Sequence, residues 1–216
     1  MEYLWKLTAS LAVGLKFTCG LFCITAVLSL PLGFGMTALR RSRFKILRGI
    51  TRALVWLLRG TPLLLQLFFI YFGLPAIPLI GKYLTFDRFT ASCIAFVINY
   101  AAYFCEIFRG GLKGIDVGQY EAAKVLHLSS GQTMRKIVLP QMLRLTLPGI
   151  ANECITLVKD TALVSAIGVT EILYFAKAAV NRDVNATAYA VVAVFYLLMN
   201  AALSRLFSYL EKKYGY

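Results

Sequence analysis

The chain has 216 residues, 59% of them hydrophobic and 15% charged, with a mean hydropathy of +0.71. A soluble domain is about 45–50% apolar and about 25% charged, so this composition excludes a water-facing globule and describes an integral membrane protein with room for about five spans of roughly 20 residues. Its 23 Lys and Arg against 10 Asp and Glu, a formal net charge of +13, punctuate apolar runs instead of lining a polar face, which argues against nucleic acid as a partner.

The first predicted span covers 12–39. Residues 17–39 carry no charge and make a helix of about 35 Å, longer than the roughly 30 Å hydrocarbon core. A signal peptide would have a shorter apolar region with its basic residues first; here Arg40, Arg41, Arg43, Lys45, Arg48 and Arg52 follow the run. Residues 3–15, with Trp5 and Lys6, either lie at the membrane interface or lengthen this helix. The second span, 53–80, is interrupted by Arg59-Gly60-Thr61-Pro62 and closed by Pro75 and Pro78. Because proline removes a backbone donor and glycine loosens the helix, a kink or break is expected near its start.

The third span, 89–108, contains Asn99 and Glu106; the fourth, 146–173, contains Asn152, Glu153, Lys159 and Asp160; the fifth covers 186–206. The expected fold is therefore all-α, a single polytopic helix bundle of five transmembrane helices over residues 1–216. All five cysteines, at 19, 23, 93, 105 and 154, fall in apolar stretches without close Cys/His pairs, and read as buried thiols, not metal ligands.

Basic residues set the topology. The segment after the first span, the loop after the third and the C-terminal tail together hold fifteen Lys and Arg. The opposite side holds six: Lys6, Lys16, Lys82, Arg88, Lys177 and Arg182. The positive-inside rule then places the N-terminus outside and the C-terminus in the cytoplasm.

Residues 109–144 form a polar stretch mixed enough for short amphipathic helices. Glu121-Ala122-Ala123 gives an acidic start followed by strong helix formers, Ser129-Ser130-Gly131 turns or caps a second helix, and Pro140 limits its continuation. Two short helices set at an angle make a knob suited to a groove on another protein, or else a solvated hairpin without a partner. The spacing of Glu121, Ala122, Ala123, Ile137, Leu139 and Pro140 resembles the Glu-Ala-Ala motif of ATP-binding cassette importer permeases. His127, followed by Leu128, stands where that family has glycine; histidine is among the better tolerated non-glycine residues in the left-handed region.

The resemblance covers about residues 12 to 212. Arg59-Gly60-Thr61-Pro62-Leu63-Leu64-Leu65-Gln66 and Tyr71-Phe72-Gly73-Leu74-Pro75 are similar to the second helix of the polar amino acid branch, the histidine, glutamine, arginine and cystine type permeases. Ala101-Ala102-Tyr103 with Glu106-Ile107-Phe108-Arg109-Gly110-Gly111 looks like its third helix, and Lys159-Asp160-Thr161-Ala162-Leu163 with Ile167-Gly168-Val169 like its fourth. The resemblance implies a type I importer permease fold in a bacterial cytoplasmic (inner) membrane, surrounded by lipid. It also implies cytoplasmic ATPase subunits that dock on a coupling-helix loop at Glu121, Ala122, Ala123, His127, Leu128 and Pro140. An extracytoplasmic binding protein would deliver the amino acid, and the permease would pair as a homodimer or heterodimer. ATP and Mg would be bound by the ATPase; this chain has no GxxxxGK[ST] phosphate loop and is expected to be non-catalytic and cofactor-free.

Ionisable groups within spans usually face a bundle interior or a water-filled cavity. Glu153 and Asp160, seven residues apart, share one helix face, as do Asn99 and Glu106. Glu106 precedes Arg109 by three residues and reads as a structural ion pair, whereas the adjacent Lys159 and Asp160 point in different directions. A zwitterion needs a cationic and an anionic reader, and backbone donors freed at Gly60-Thr61 would hold its carboxylate. The resemblance implies substrate contacts in the Arg59-Gly60-Thr61-Pro62 segment and the fourth helix, so the candidate substrate residues are Arg59, Gly60, Thr61, Glu153 and Asp160, and two carboxylates on one face suggest a cationic side chain. The function expected is permeation of polar, in particular cationic, amino acids. The alternative is an ion-coupled secondary carrier acting without an ATPase. An intramembrane protease has little support, since there is one histidine and no HExxH.

Overall fold

The computed structural model describes residues 2–214, with the side chains of Glu2, Tyr3, Leu4 and Lys6 outside the described residues. Helix α1, Glu2–Arg40, is apolar all round and takes residues 3–15 into the same helix, although Pro31 lies inside it. Its buried face carries Thr18, Ser29 and Thr37, whose hydroxyls donate to the carbonyls of Gly14, Thr25 and Gly33 one turn back. Satisfied within the helix, these polar groups pack without needing water.

That face lies along α4, Arg88–Lys113, in parallel. Phe17 meets Phe89 edge-on, Gly33 sits under Ala101 and Phe104, and Thr37 Oγ1 also donates to the Cys105 carbonyl at 3.0 Å. Two parallel helices need a connection that recrosses the bundle, and residues 45–76 make it.

This crossing is broken, as the sequence predicts, but more sharply than a kink. Helix α2, Lys45–Gly60, and α3, Leu63–Phe68, are followed by a π-turn at Phe69–Gly73 and a 3-10 turn at Leu74–Ala76; the two halves are bent by 107°. Pro62 supplies no N–H, so the carbonyls ending α2 need other donors. Gln66 Nε2 donates to the carbonyls of Leu58 (2.8 Å) and Thr61 (3.1 Å), Asn99 Nδ2 donates to Leu58 O (3.2 Å) and Gln66 Oε1 (3.1 Å), and the Thr61 hydroxyl donates to Leu57 O (2.9 Å).

The loop differs from the expected pair of short helices. Helix α5, Val117–Val125, is separate, but α6, Ser130–Thr133, passes through a π-turn at Met134–Val138 straight into α7, Leu139–Asp160. Pro140 therefore lies inside a continuous helical run and does not end one; the widened turn, in which Leu139 N–H reaches Met134 O, accommodates a residue that cannot donate. Helix α7 runs antiparallel to α4, with Gly149 against Ile107 near one end and Asp160 against Tyr100 near the other.

The fourth span also departs from one straight helix over 146–173. After Asp160 the chain tightens into a 3-10 segment, Thr161–Ile167, turns at left-handed Gly168 (φ 80°), and continues as α8, Ile172–Asp183, with a 54° bend. Helix α9, Thr187–Tyr214, returns along α7, placing Leu210 and Tyr214 beside Pro140 and Leu143. The described chain thus begins and ends at opposite ends of the bundle, with the α5 loop at the C-terminal end.

Among the described residues all regular structure is helical; three helices are long and apolar enough to cross a membrane, or five if each bent pair is one crossing. The core, with Phe96, Tyr100, Phe104, Leu67, Leu157 and Val164 at its centre, joins α3, α4, α7 and the 3-10 segment. Cys105 and Cys154 are buried as expected, but Cys19 and Cys23 are exposed and Cys93 is half-buried. An all-apolar helix presents thiols to lipid and core alike, so composition does not separate them.

Candidate substrate cavity and docking loop

The break between α2 and α3 opens on a cavity of ≈ 520 Å³. Arg59, Gly60, Thr61, Pro62 and Leu63 form one wall, Asn99, Tyr100 and Tyr103 of α4 a second, and Glu153, Thr156 and Asp160 of α7, with Leu163, the third. All five candidate substrate residues therefore converge on one space from segments about a hundred residues apart. Tyr100 donates its hydroxyl to Asp160 Oδ2 at 2.7 Å, and the Arg59 guanidinium lies 5.2 Å from the Tyr103 ring centroid. Nothing lies within 4 Å of the position a Gly60 side chain would take, so that backbone borders open space.

Gly60 and Thr61 end α2, at the negative end of the helix dipole, and the carbonyls of Leu58 and Thr61 there are already taken by Gln66 and Asn99. Backbone donors instead begin α3, whose first hydrogen bonds run from Leu65 and Gln66 N–H to Pro62 O. Arg59 is then the side-chain cation available to a carboxylate, facing two anions across the cavity.

The remaining intramembrane charges are sorted by geometry. Lys159 is exposed and outside the cavity, whereas its neighbour Asp160 is inside. Glu106 accepts from Arg109 Nε at 2.6 Å and from Arg40, tying the end of α1 to α4. Sequence reading did not single out Tyr100 or Thr156, and named Tyr103 only within the third-helix motif, not as a substrate residue. Tyrosines in an apolar run read as core, but Asn99, Tyr103 and Glu106 form an i, i+4, i+7 polar stripe that was the available signal for Tyr103.

At the loop end, Glu121 and Ala122 are exposed, Ala123 is buried, Leu128 is half-buried and Pro140 is exposed. His127 adopts φ 53°. Its N–H donates to Lys124 O and that of Leu128 to Ala123 O, the two bonds of a Schellman helix end. The left-handed bend is thus made with histidine in the usual glycine place. Beside it, Val125 and Leu126 are 77% and 69% exposed, an apolar tip on a polar loop.

A second cavity of ≈ 490 Å³ lies at the opposite end, between Phe17, Tyr71, Arg88 and Gly168. Arg88 donates to Tyr71 Oη (3.4 Å) and Gly168 O (3.3 Å). Asp87 caps α4, and hydrogen bonds from the Thr90 hydroxyl and from the N–H groups of Thr90 and Phe89 hold its carboxyl below the usual aspartate range.

A multi-helix bundle with a polar cavity at a helix break and an exposed loop helix at one end defines a membrane permease. The chain belongs to the family of binding-protein-dependent transport system inner membrane components, which it matches over residues 29–216. It is 35% identical over 215 residues to the octopine transport system permease of Rhizobium radiobacter, covering 97% of this chain and 87% of that protein. It is 39% identical over 160 residues to the arginine transport system permease of Bacillus subtilis (74% and 71% covered). With the glutamine transport system permease of Escherichia coli K12 it shares 33% identity over 211 residues (97% and 95%). The crystal structure of an amino acid ABC transporter with histidines superposes with a TM-score of 0.90 at 30% identity, covering 98% and 97% of the two chains. The methionine transporter in inward-facing form shares the fold at a TM-score of 0.79 and 19% identity (98% and 99%).

Proposed function

We propose that this chain is the membrane-spanning subunit of an ATP-driven importer of polar amino acids, with a preference for cationic side chains. One observation carries the preference: the cavity wall holds one cation, Arg59, and two carboxylates, Glu153 and Asp160. A zwitterion with a cationic side chain has the complementary set, its carboxylate meeting Arg59 and its two cations meeting the carboxylates. Family membership and the amino acid permeases among its relatives support the importer reading and disfavour an ion-coupled carrier working alone.

On this reading ATPase subunits dock on α5, with Glu121, Ala122, Ala123, His127, Leu128 and Pro140 at the contact and Val125 and Leu126 as its apolar anchor. The chain moves substrate and hydrolyses nothing; ATP and Mg belong to the ATPase. The binding protein meets the opposite end, the N-terminus is outside, the C-terminus is cytoplasmic, and the permease works as a homodimer or heterodimer in the inner membrane. The test is uptake in vesicles holding the assembled complex, with ATP inside and binding protein outside. Glu153→Gln and Asp160→Asn are each expected to cut uptake of arginine or lysine about tenfold or more while sparing a neutral amino acid, since a lost buried charge partner costs more than about 1.4 kcal/mol. Equal uptake of all amino acids by the variants overturns the cationic preference. Uptake driven by an ion gradient without ATP overturns the importer.

A further inference from the structure

Helix α2 divides lengthwise into three faces. Thr51, Val55 and Leu58, at most 8% exposed, pack inward, the last two in the cluster with Met36 of α1 and Ala101 of α4. Ile46, Ile50, Leu54 and Leu57, between 41% and 78% exposed, form an apolar outer face. Between them Lys45, Arg52 and Arg59 recur every seven residues, with half-buried Arg48 on the inward side of the column and exposed Trp56 on the other. Seven residues are close to two full turns, so these side chains stand in one column with about 10 Å between successive members.

The two ends of the column are placed. Arg59 is in the cavity wall on the Tyr103 ring. Lys45 begins α2, immediately after the elbow that follows Arg40, at the end of the bundle that carries α5. Lys45, Arg48 and Arg52 form no ion pair among the described residues, and the sequence has no acidic residue between Glu2 and Asp87. A cation facing hydrocarbon costs about 2.5–3.5 kcal/mol on insertion scales, and α2 already has a separate apolar face for lipid. The cationic face therefore meets water or an anion.

We propose that the Lys45–Arg52–Arg59 face lines a water-filled passage continuous with the cavity, along which the carboxylate of a departing amino acid is led to the α5 end of the bundle. The proposal rests on the reading of the cavity as an amino acid site. Neighbouring cations stand about one Debye length apart at physiological ionic strength, so each attracts the carboxylate without a single deep trap. The same field repels an inorganic cation that has no carboxylate to lead it.

The test is thiol chemistry on the full chain in its assembled complex, with the five native cysteines replaced and Arg52→Cys introduced. Membrane-impermeant methanethiosulfonates, one carrying a sulfonate and one a trimethylammonium group, are applied from the α5 side. Both are expected to modify the thiol, the sulfonate reagent about tenfold faster because the flanking cations concentrate anions, and Lys45→Gln with Arg48→Gln is expected to bring the two rates together. Ile50→Cys, on the apolar face, is expected to stay unreactive. An inert thiol at 52, a disulfide between two copies with no reagent access, or access gained only after anionic lipid is removed each overturns the passage, assigning the face to protein, to a second copy or to headgroups.

Should the cysteine-free chain fail to assemble, Arg52→Gln in the native background gives the second reading. Turnover is expected to fall with the KM for loaded binding protein unchanged, and unchanged turnover overturns the proposal. Reagent access needs no transport. Absent ATP-driven uptake by the unaltered complex therefore counts against the importer alone, and an inert thiol with intact uptake counts against the passage alone.

Discussion

His127 shows how a residue out of place by family pattern is accommodated. Its φ of 53° costs about 1 kcal/mol for an L-residue, a cost offset by the two Schellman hydrogen bonds it closes. His127→Gly removes that strain but loosens the unfolded chain, so a net gain of about 0.5 kcal/mol is expected, read as a small rise in the thermal midpoint of the purified complex. A β-branched His127→Val is expected to lower it. Asp87 acts at the other end of the bundle. Its carboxyl is depressed by the Thr90 hydroxyl and backbone donors, so its stabilisation is complete above the ordinary aspartate range near pH 4 and is lost as pH falls through its lower folded value. Asp87→Asn keeps a capping oxygen while removing that titration. Thermal midpoints compared between pH 5 and 3 are expected to fall less steeply in the variant than in the unaltered chain.

At the scale of elements, close approach decides how α1 and α4 pack. A Cβ on Gly33 would stand 2.8 Å from the Ala101 carbonyl oxygen and from Phe104 Cβ. Small residues at such a crossing let backbones approach where lipid supplies no hydrophobic drive. Gly33→Leu is expected to destabilise the fold by about 2–3 kcal/mol, measured as loss of thermal stability in detergent, whereas Gly35→Leu, with open space around it, is expected to be neutral. The broken crossing shows the complementary case. Asn99 and Gln66 supply the donors that Pro62 cannot, and so hold open the gap through which Arg59, Gly60 and Thr61 reach the cavity. The break was legible in Arg59-Gly60-Thr61-Pro62; the 107° angle was not, because it depends on where those distant amides stand.

For the whole molecule, charge placement and helix direction agree. The fifteen basic residues assigned to one side lie on segments that the fold brings to the α5 end, or next to it. The proposed orientation, with that end cytoplasmic, predicts that a C-terminal fluorescent reporter folds and emits while a C-terminal alkaline phosphatase stays inactive; the opposite pair of outcomes reverses it.

The sequence by itself determined the membrane class, the helical content, the helix break, and a loop whose spacing marks the family, because composition, a missing N–H and capping chemistry act within a few residues. Tertiary structure decided what requires partners. It brought 59–63, 99–103 and 153–163 onto one cavity, closed the carbonyls at the end of α2 with Gln66 and Asn99, and carried the helix through Pro140. It also chose which face of each apolar helix is core. In lipid, hydrophobicity does not distinguish inside from outside; small residues, hydroxyls and unpaired charges do, and their meaning appears only when the neighbouring helix is in place. The net charge of +13 is therefore a statement of orientation, while the column from Lys45 to Arg59 is a statement of fold.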